Sequence, residues 1–176
     1  MPDLSVRLAT ARDRLVVERL WLMFRHDLSG FRGLLPNPDG TFRGDRVEAA
    51  FTQDGWAPYL FLRDDRPVGF AFVRALDGPV RVLNSFFVVR GARGEGVGLR
   101  AVREVVARHP GPWEVAFQYD NEAAVRFWRR AARELAGDAW SEEARPVPDR
   151  PGLPPDAWIS FTVGQAGSLT CRQLPA

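Results

Sequence analysis

Lysine is absent from this chain, and cysteine is nearly so, with Cys171 the only one among 176 residues. A single cysteine cannot form an internal disulfide, and it makes a thiolate metal site implausible; we expect no metal. Without lysine there is no Walker phosphate loop, which needs Gly-Lys-Ser/Thr. No run approaches the roughly 20 apolar residues of a membrane span. The start of the chain lacks the apolar run of a signal peptide. These absences predict a cytoplasmic protein.

The charges present are nearly balanced, with 24 arginines against 22 acidic residues and a formal net charge of +2. No arginine tract is interleaved with aromatic residues, which argues against nucleic acid as a partner. Hydrophobic residues make up 45% of the chain, enough for one domain with its own core. The oligomeric state, a homodimer included, is left open.

The hydrophobic periodicity predicts an α/β domain of order βα(α)βββαβαββ. The sheet is expected to be mostly antiparallel, with one parallel crossover through the helix near position 100. Residues 1–163 form the predicted domain and residues 164–176 a loose tail. The predicted strands are 4–8, 56–62, 68–76, 80–89, 113–119, 140–147 and 157–163, and the predicted helices are 10–30, 45–51, 97–108 and 121–135.

A glycine-rich segment, Arg93-Gly-Glu-Gly-Val-Gly98, lies between a very apolar strand and a helix. Gly96 and Gly98 lack side chains, so their backbone N–H groups can approach an anion closely. The helix N-terminus adds about half a positive charge, and Arg90 and Arg93 can add guanidinium contacts to phosphate. The segment therefore predicts a pyrophosphate-binding loop.

Two other interpretations of this loop remain open. Gly96-Val-Gly-Leu-Arg-Ala101 also fits the GxGxxA form of a dinucleotide-binding fingerprint. That motif normally opens a domain of successive βαβ units, however, and here only one further unit follows. The glycines could also serve helix packing alone.

A second segment, Asn121-Glu-Ala-Ala-Val-Arg-Phe-Trp128, follows the fifth predicted strand. It resembles the Asn-x-x-Ala-x-x-Phe-Tyr segment of GNAT acyl-CoA-dependent N-acyltransferases. The glycine-rich segment resembles the Arg/Gln-x-x-Gly-x-Gly/Ala motif of the same superfamily. The resemblance covers residues 4–163 and is closest to a group of predicted bacterial acetyltransferases. It also includes segments 24–29, 67–71, 85–89 and 110–114.

This resemblance implies a GNAT fold, acetyl-CoA or another acyl-CoA as acyl donor, and a small-molecule or peptide amine as acceptor. The fold would be a mixed, mostly antiparallel sheet of about seven strands, splayed between the fourth and fifth and flanked by about four helices. The fold does not identify the acceptor. The implied cofactor-binding residues are Phe87, Val88, Val89, Arg93, Gly94, Glu95, Gly96, Val97, Gly98, Asn121, Phe127 and Trp128.

The chain departs from the family pattern at the positions of the residues that usually act as general base and general acid. Ser85 occupies the catalytic position before Phe86-Phe87 where an acidic base is common. Trp128 replaces a tyrosine that could return a proton to the thiolate, which indole cannot do. Of the two candidate catalytic residues, Ser85 and His26, only the imidazole of His26 could act as a base at neutral pH.

The acceptor itself is expected to contact Asp27, Ser29 and Asp120, which lie at the end of the first helix and beside the cleft. His109 is expected on the surface. A neutral amine could also attack without a base, with an oxyanion donor from the backbone near residues 87–89, where the strand would need a bulge. Three other functions remain open: a non-catalytic acyl-CoA-binding module, a dinucleotide-binding protein, and a transferase with another donor such as aminoacyl-tRNA.

Overall fold

A computed structural model describes residues 3–164. Within them, seven strands and four α-helices follow one another in the predicted order. Residues 165–176, which include Cys171 and most of the predicted tail, lie outside the described part. Short 3-10 turns precede α1 and the glycine-rich loop. The elements are β1 Leu4–Leu8, α1 Arg14–Arg32, α2 Asp45–Thr52, β2 Ala57–Arg63, β3 Arg66–Arg74, β4 Arg81–Val88, α3 Val97–Ala107, β5 Gly111–Gln118, α4 Glu122–Ala136, β6 Trp140–Arg145 and β7 Asp156–Val163.

The predicted end of helix α1 is wrong. The pattern predicts an end near Ser29 and Gly30, but the helix continues to Arg32. The Ser29 hydroxyl donates to the carbonyl of His26 at 2.7 Å, so the polar side chain is accommodated within the helix. The stop is Gly33, whose φ of 59° is the left-handed conformation typical of a helix C-terminus. None of the helices within residues 3–164 is long and apolar enough to span a membrane.

The sheet has seven strands in the order β1-β2-β3-β4-β5-β7-β6. All neighbouring pairs are antiparallel except β4 and β5, which are parallel and joined by the α3 crossover. The predicted mixed and mostly antiparallel fold is therefore confirmed.

Strands β4 and β5 pair over only three residues each, from Arg81 opposite Trp113 to Leu83 opposite Val115. Beyond this point they separate, which is the predicted splay. The register of β3 with β4 shifts by one residue, so that Asn84 has no partner in β3. This is a β-bulge, and it lies three residues before the stretch where the sequence led us to expect it.

Helices cover the two faces of the sheet differently. Helices α1 and α2 pack against β2 and β3 on one face, hereafter the α1 face, and α3 and α4 pack on the other, the α3 face. Strands β2 and β3 are buried continuously because both of their faces are covered. Strands β5 and β7 alternate instead, burying only the residues that point to the α3 face.

Candidate functional site

A cavity of about 460 Å³ lies at the splay, between α1, the C-terminal half of β4, the loop before α3 and the start of α4. The glycine-rich loop forms one wall. Gly94 and Gly96 have φ values of 87° and 78°, which L side chains rarely adopt, and Gly96 is the N-cap of α3. A Cβ on Gly98 would come within 3.1 Å of the Phe127 ring. Because these three residues have no side chains, their backbone N–H groups are accessible at the positive end of a helix.

The open edge of β4 forms a second wall. The N–H of Val89 donates to the carbonyl of Val68 in β3 at 2.8 Å. Because backbone groups alternate along a strand, the N–H and C=O groups of Phe86 and Val88 point the other way, into the splay. In agreement, the Val88 carbonyl accepts from Nε of Arg93 at 2.7 Å. Since β5 does not pair here, this edge can bind an extended ligand through its main chain.

Two arginines of the loop converge on one carboxylate. Asp27 of α1 accepts from Arg93 Nη2 at 2.6 Å and from Arg90 Nε at 3.1 Å. Burial raises the pKa of Asp27, but the hydrogen bonds from Arg93 and Arg90 outweigh burial, so the net pKa is below its ordinary value. The guanidinium of Arg93 also lies 5.6 Å from the ring centroid of Phe87. The cavity therefore holds two oriented cations beside the helix N-terminus.

Aromatic rings form the remaining wall. Phe127 is stacked on Phe86 with ring centroids 5.6 Å apart, and Trp128 meets Phe86 edge-on at 5.3 Å. Asn121 begins α4, where its side-chain oxygen accepts from the Ala124 N–H at 3.1 Å. This wall is apolar next to the open edge of β4, so the cavity combines a charged end and a hydrophobic end.

Most of the predicted cofactor residues are brought together in this cavity: Phe87, Val88, Arg93, Gly94, Gly96, Gly98, Asn121, Phe127 and Trp128. Val89, Glu95 and Val97 are not among the lining residues. Glu95 points away, and its carboxylate lies 2.7 Å from Nη1 of Arg63. Val97, the first residue of α3, is buried in the core. Asp27, predicted to contact the acceptor, lines the same cavity.

The other predicted catalytic and acceptor residues lie outside the cavity. His26 is exposed on α1, and Asp120 is exposed in the turn before α4. The Ser29 hydroxyl is engaged with the helix backbone. Ser85 is 3% exposed, and its hydroxyl lies 3.4 Å from the side-chain oxygen of Asn84. None of these four residues therefore presents an imidazole or a carboxylate to the open edge of β4.

Sequence reasoning missed the contribution of α1 to the cavity. Phe24, Leu28 and Phe31 line it together with Asp27. Their spacing of four and three residues places them on one side of a helix, which was the available signal. They were overlooked because the helix was expected to end before Phe31.

His109 is not the surface residue that was expected. It is partly buried, and its Nε2 lies 2.6 Å from the hydroxyl of Tyr59. Burial, together with the charges of Arg81 and Arg108, lowers the pKa of His109. It lies at the end of α3 beside Trp113, at the paired end of β4 and β5, and so belongs to the structural part of the molecule.

Three solved structures have a similar fold. An acetyltransferase from Thermus thermophilus superposes with a TM-score of 0.67 at 14% identity, covering 93% of this chain and 100% of that one. The aminoglycoside acetyltransferase AAC(6')-Ib in complex with coenzyme A gives 0.63 at 17%, covering 91% and 95%. The PaiA N-acetyltransferase from Thermoplasma acidophilum in complex with coenzyme A gives 0.62 at 7%, covering 91% and 99%. At such identities the likeness shows the fold alone.

The sequence itself carries a family signature. Among curated proteins, none matches it significantly. A model of the Acetyltransferase (GNAT) family, however, matches residues 18–132, which is more than half of the chain and includes most of α1, the open edge of β4 and the glycine-rich loop. The chain therefore belongs to the GNAT acetyltransferase family.

Proposed function

We propose that this protein is an N-acetyltransferase that moves an acetyl group from acetyl-CoA to a primary amine. The observation that carries the proposal is the junction of two binding elements in one cavity: the glycine-rich loop at the N-terminus of α3 and the open edge of β4. The first suits a pyrophosphate and the second an extended amide chain, and coenzyme A contains both.

The residues of the cavity fit such a cofactor. Gly94 and Gly96 have open space where a Cβ would stand, which leaves room for phosphate oxygens. Arg90 and Arg93 lie beside them and are held at one end by Asp27. The thioester supplies an activated acyl group when bound.

The chain is proposed to act by positioning rather than by a strong base. Ser85 is buried and His26 is exposed away from the cavity, so neither takes the proton of the amine in this proposal. The amine enters in its neutral form, and as its N–C bond forms and the thioester C–S bond breaks, its proton passes through water to the departing thiolate. One main-chain N–H group of the open edge, that of Phe86 or of Val88, serves as the donor to the carbonyl oxygen.

The first test is binding. Calorimetric titration of the wild-type protein with CoA, acetyl-CoA and NAD should give binding of the first two only. Gly98→Asp should abolish binding, because its side chain would crowd Phe127 and add negative charge beside the phosphates. Gly152→Asp is the matched control, since a Cβ there meets nothing within 4 Å and the residue lies in the loop between β6 and β7. Undiminished CoA affinity in a folded Gly98→Asp protein would contradict the assignment.

The second test is the pH dependence of turnover with an amine of known pKa. Direct attack predicts that the rate follows the neutral fraction of the amine, and that His26→Gln leaves the profile unchanged. A rise of the rate with pH near the ordinary histidine pKa that disappears in His26→Gln would instead assign the base to His26. A protein that binds acetyl-CoA but acetylates no amine would be a non-catalytic binding module.

A further inference from the structure

The α1 face of the sheet changes character beyond β4. On β5 and β7 the residues that point to this face include several polar ones beside Ala116 and Trp158, because the core residues of both strands point to the α3 face. Glu114, Gln118, Asp156 and Ser160 are among them. The side-chain oxygen of Gln118 is buried and has no hydrogen-bond partner within residues 3–164. A sheet surface with several polar side chains thus lies next to the splay, on the side opposite α3 and α4.

Three arginines from different elements converge on the edge of this surface. Arg46 of α2 donates through Nη1 to the carbonyl of Asn84 at 3.4 Å, and Asn84 is the bulge where β4 leaves β5. Arg25 of α1 and Arg74 of β3 lie close enough to Arg46 to act on its charge. We refer to Arg25, Arg46 and Arg74 as the bulge arginines.

Arg46 occupies a cleft rather than a convex surface. Its side chain is accessible to solvent, yet enough protein surrounds it that burial lowers its pKa, and the nearby charges of Arg25 and Arg74 lower it further. A guanidinium remains charged in proteins despite such a shift. Arg46 is therefore a charged side chain in a recess, with the charges of Arg25 and Arg74 nearby.

The carboxylates of this surface offset the bulge arginines only in part. Burial lowers the pKa of Arg46, and the charge of Asp156 partly opposes this by raising it. The hydrogen bond from Arg145 lowers the pKa of Glu114, and the charge of Arg74 lowers it further. Both carboxylates, however, are bonded to other arginines. Asp156 is already paired with Arg32, whose Nη2 lies 2.6 Å from its carboxylate. Glu114 accepts two hydrogen bonds from Arg145, at 2.7 and 3.1 Å. Within residues 3–164 none of the bulge arginines forms an ion pair. The recess therefore has an excess of positive charge.

Arg25 shows how one of these guanidinium groups is held. Its guanidinium carbon lies 5.7 Å from the ring centroid of Trp21 and 6.0 Å from that of Phe42. Its Nε is buried and has no hydrogen-bond partner in the described part of the chain. A buried donor without a partner is costly; the terminal Nη groups of Arg25, which are not among the buried atoms that lack a partner in residues 3–164, are the part of the guanidinium that an anionic ligand could reach.

We propose that the amine accepted by this protein also carries an anionic group, a carboxylate or a phosphate, and that the bulge arginines bind it. Arginine binds both groups through paired N–H donors. The same charges disfavour polycationic amines by repulsion. The proposal rests on the proposed acetyltransferase function and specifies its acceptor.

The position of Arg46 also limits the size of the acceptor. Arg46 contacts the carbonyl of Asn84, and the open edge of β4 begins two residues further on, at Phe86. At the usual rise along a strand, this is roughly 7 Å. The anionic group and the reacting amine should therefore be separated by a short spacer, as in an amino acid or an aminoalkyl phosphate.

Binding of matched amines to the protein saturated with CoA tests the proposal without turnover. Leucine, phenylalanine and methionine are each compared with their α-carboxamides, and phosphoethanolamine with ethanolamine. Calorimetry should show tighter binding of the anionic member in at least one pair, by roughly ten- to a hundredfold. The amino-acid pairs and the phosphate pair separate the two sources of the charge. Spermidine serves as the polycation and should bind weakly.

Variants test whether the bulge arginines cause the preference for anionic amines. Arg46→Gln should reduce the preference for the anionic member by about tenfold, and Arg46→Lys should retain part of it. Both should bind CoA as wild type does. Arg12→Gln is the control, because Arg12 is exposed just before α1 and its substitution removes the same charge elsewhere. Acetyl-transfer rates with the same pairs should follow the same order.

The outcomes distinguish this proposal from the function on which it rests. Failure to bind CoA would contradict the acetyltransferase assignment. Normal CoA binding with equal or weaker affinity for every anionic amine would overturn only the anionic acceptor. So would an anionic preference that Arg46→Gln leaves intact.

Discussion

At the start of β4, Arg81, Val82 and Leu83 pair with β5, whereas from Asn84 onward the two strands separate. We call the paired part the closed end and the separated part the open end. The closed end holds Trp113, which is 1% exposed and whose indole N–H donates to the carbonyl of His109 at 3.0 Å. Its backbone groups are used within the sheet, and its side chains are enclosed.

The open end uses similar aromatic residues for a different purpose. Phe127 is only half-buried and borders the cavity, and the main-chain groups of Phe86 and Val88 are left without a strand partner. The contrast indicates how one strand pair can contribute both stability and binding. Where the hydrogen bonds of the strand are made internally, substitutions should affect folding; where they are left open, substitutions should affect the ligand.

The largest expected effect compares one aromatic residue from each end. Trp113→Ala should lower the free energy of unfolding by about 3–5 kcal/mol, because it removes a fully buried ring. Phe127→Ala should cost about 1–2 kcal/mol, since its ring is half-exposed, but should weaken acetyl-CoA binding more than Trp113→Ala does. Urea denaturation and calorimetry measure the two quantities. Equal losses of stability in the two variants would remove the distinction between the ends.

A smaller effect is expected from the loop at the open end. Arg93→Ala should weaken CoA binding by about 1.5–3 kcal/mol, the usual range for a hydrogen bond to a charged group. Calorimetric titration with CoA measures the change. Arg12→Ala is a suitable control for loss of charge. If Arg93→Ala binds CoA as tightly as wild type, Arg93 serves only to fix the end of β4 through the Val88 carbonyl.

Substitution of Asp27 should change the affinity for CoA by less than Arg93→Ala does, and in the opposite direction. Its carboxylate neutralises Arg90 and Arg93 and would repel phosphate at the same place. Asp27→Asn should therefore strengthen CoA binding by about 0.3–1 kcal/mol, as expected for a partly exposed charge. Titrations at low and at high salt should show the gain shrink as salt rises. Weaker binding in the variant would mean that Asp27 serves mainly to orient the arginines.

The two ends also differ in how much the sequence could predict. The glycine-rich loop was predictable because its conformation depends on consecutive residues, so its requirements appear as one contiguous motif, Arg93 to Gly98. The bulge arginines come from α1, α2 and β3, and nothing in their local sequence indicates that they meet. The bulge at Asn84 was misplaced for a related reason, since register depends on the partner strand and not on the local pattern.

The smallest expected effect is a pH dependence of stability at the closed end. Nε2 of His109 lies within hydrogen-bond distance of the Tyr59 hydroxyl; in the neutral tautomer with its proton on Nδ1 it accepts from Tyr59, and protonation would remove this acceptor. Because burial and the charges of Arg81 and Arg108 lower the pKa of His109 in the folded protein, the unfolded chain takes up the proton first as pH falls. The contribution is therefore complete above the ordinary histidine value of 6.5 and is lost as pH drops below it.

His109→Gln isolates this contribution, since glutamine can accept from Tyr59 without titrating. Urea denaturation of both proteins at about pH 7.5, 6.5 and 5.5, which bracket the ordinary histidine pKa, gives the difference in unfolding free energy, in which all groups common to both cancel. Wild type should lose stability relative to the variant toward the lowest pH, with acetyl-CoA affinity unaffected because His109 is remote from the open end. A difference that stays constant with pH would mean that His109 has the same pKa in the folded and unfolded states, and that the hydrogen bond to Tyr59 does not depend on its neutral form.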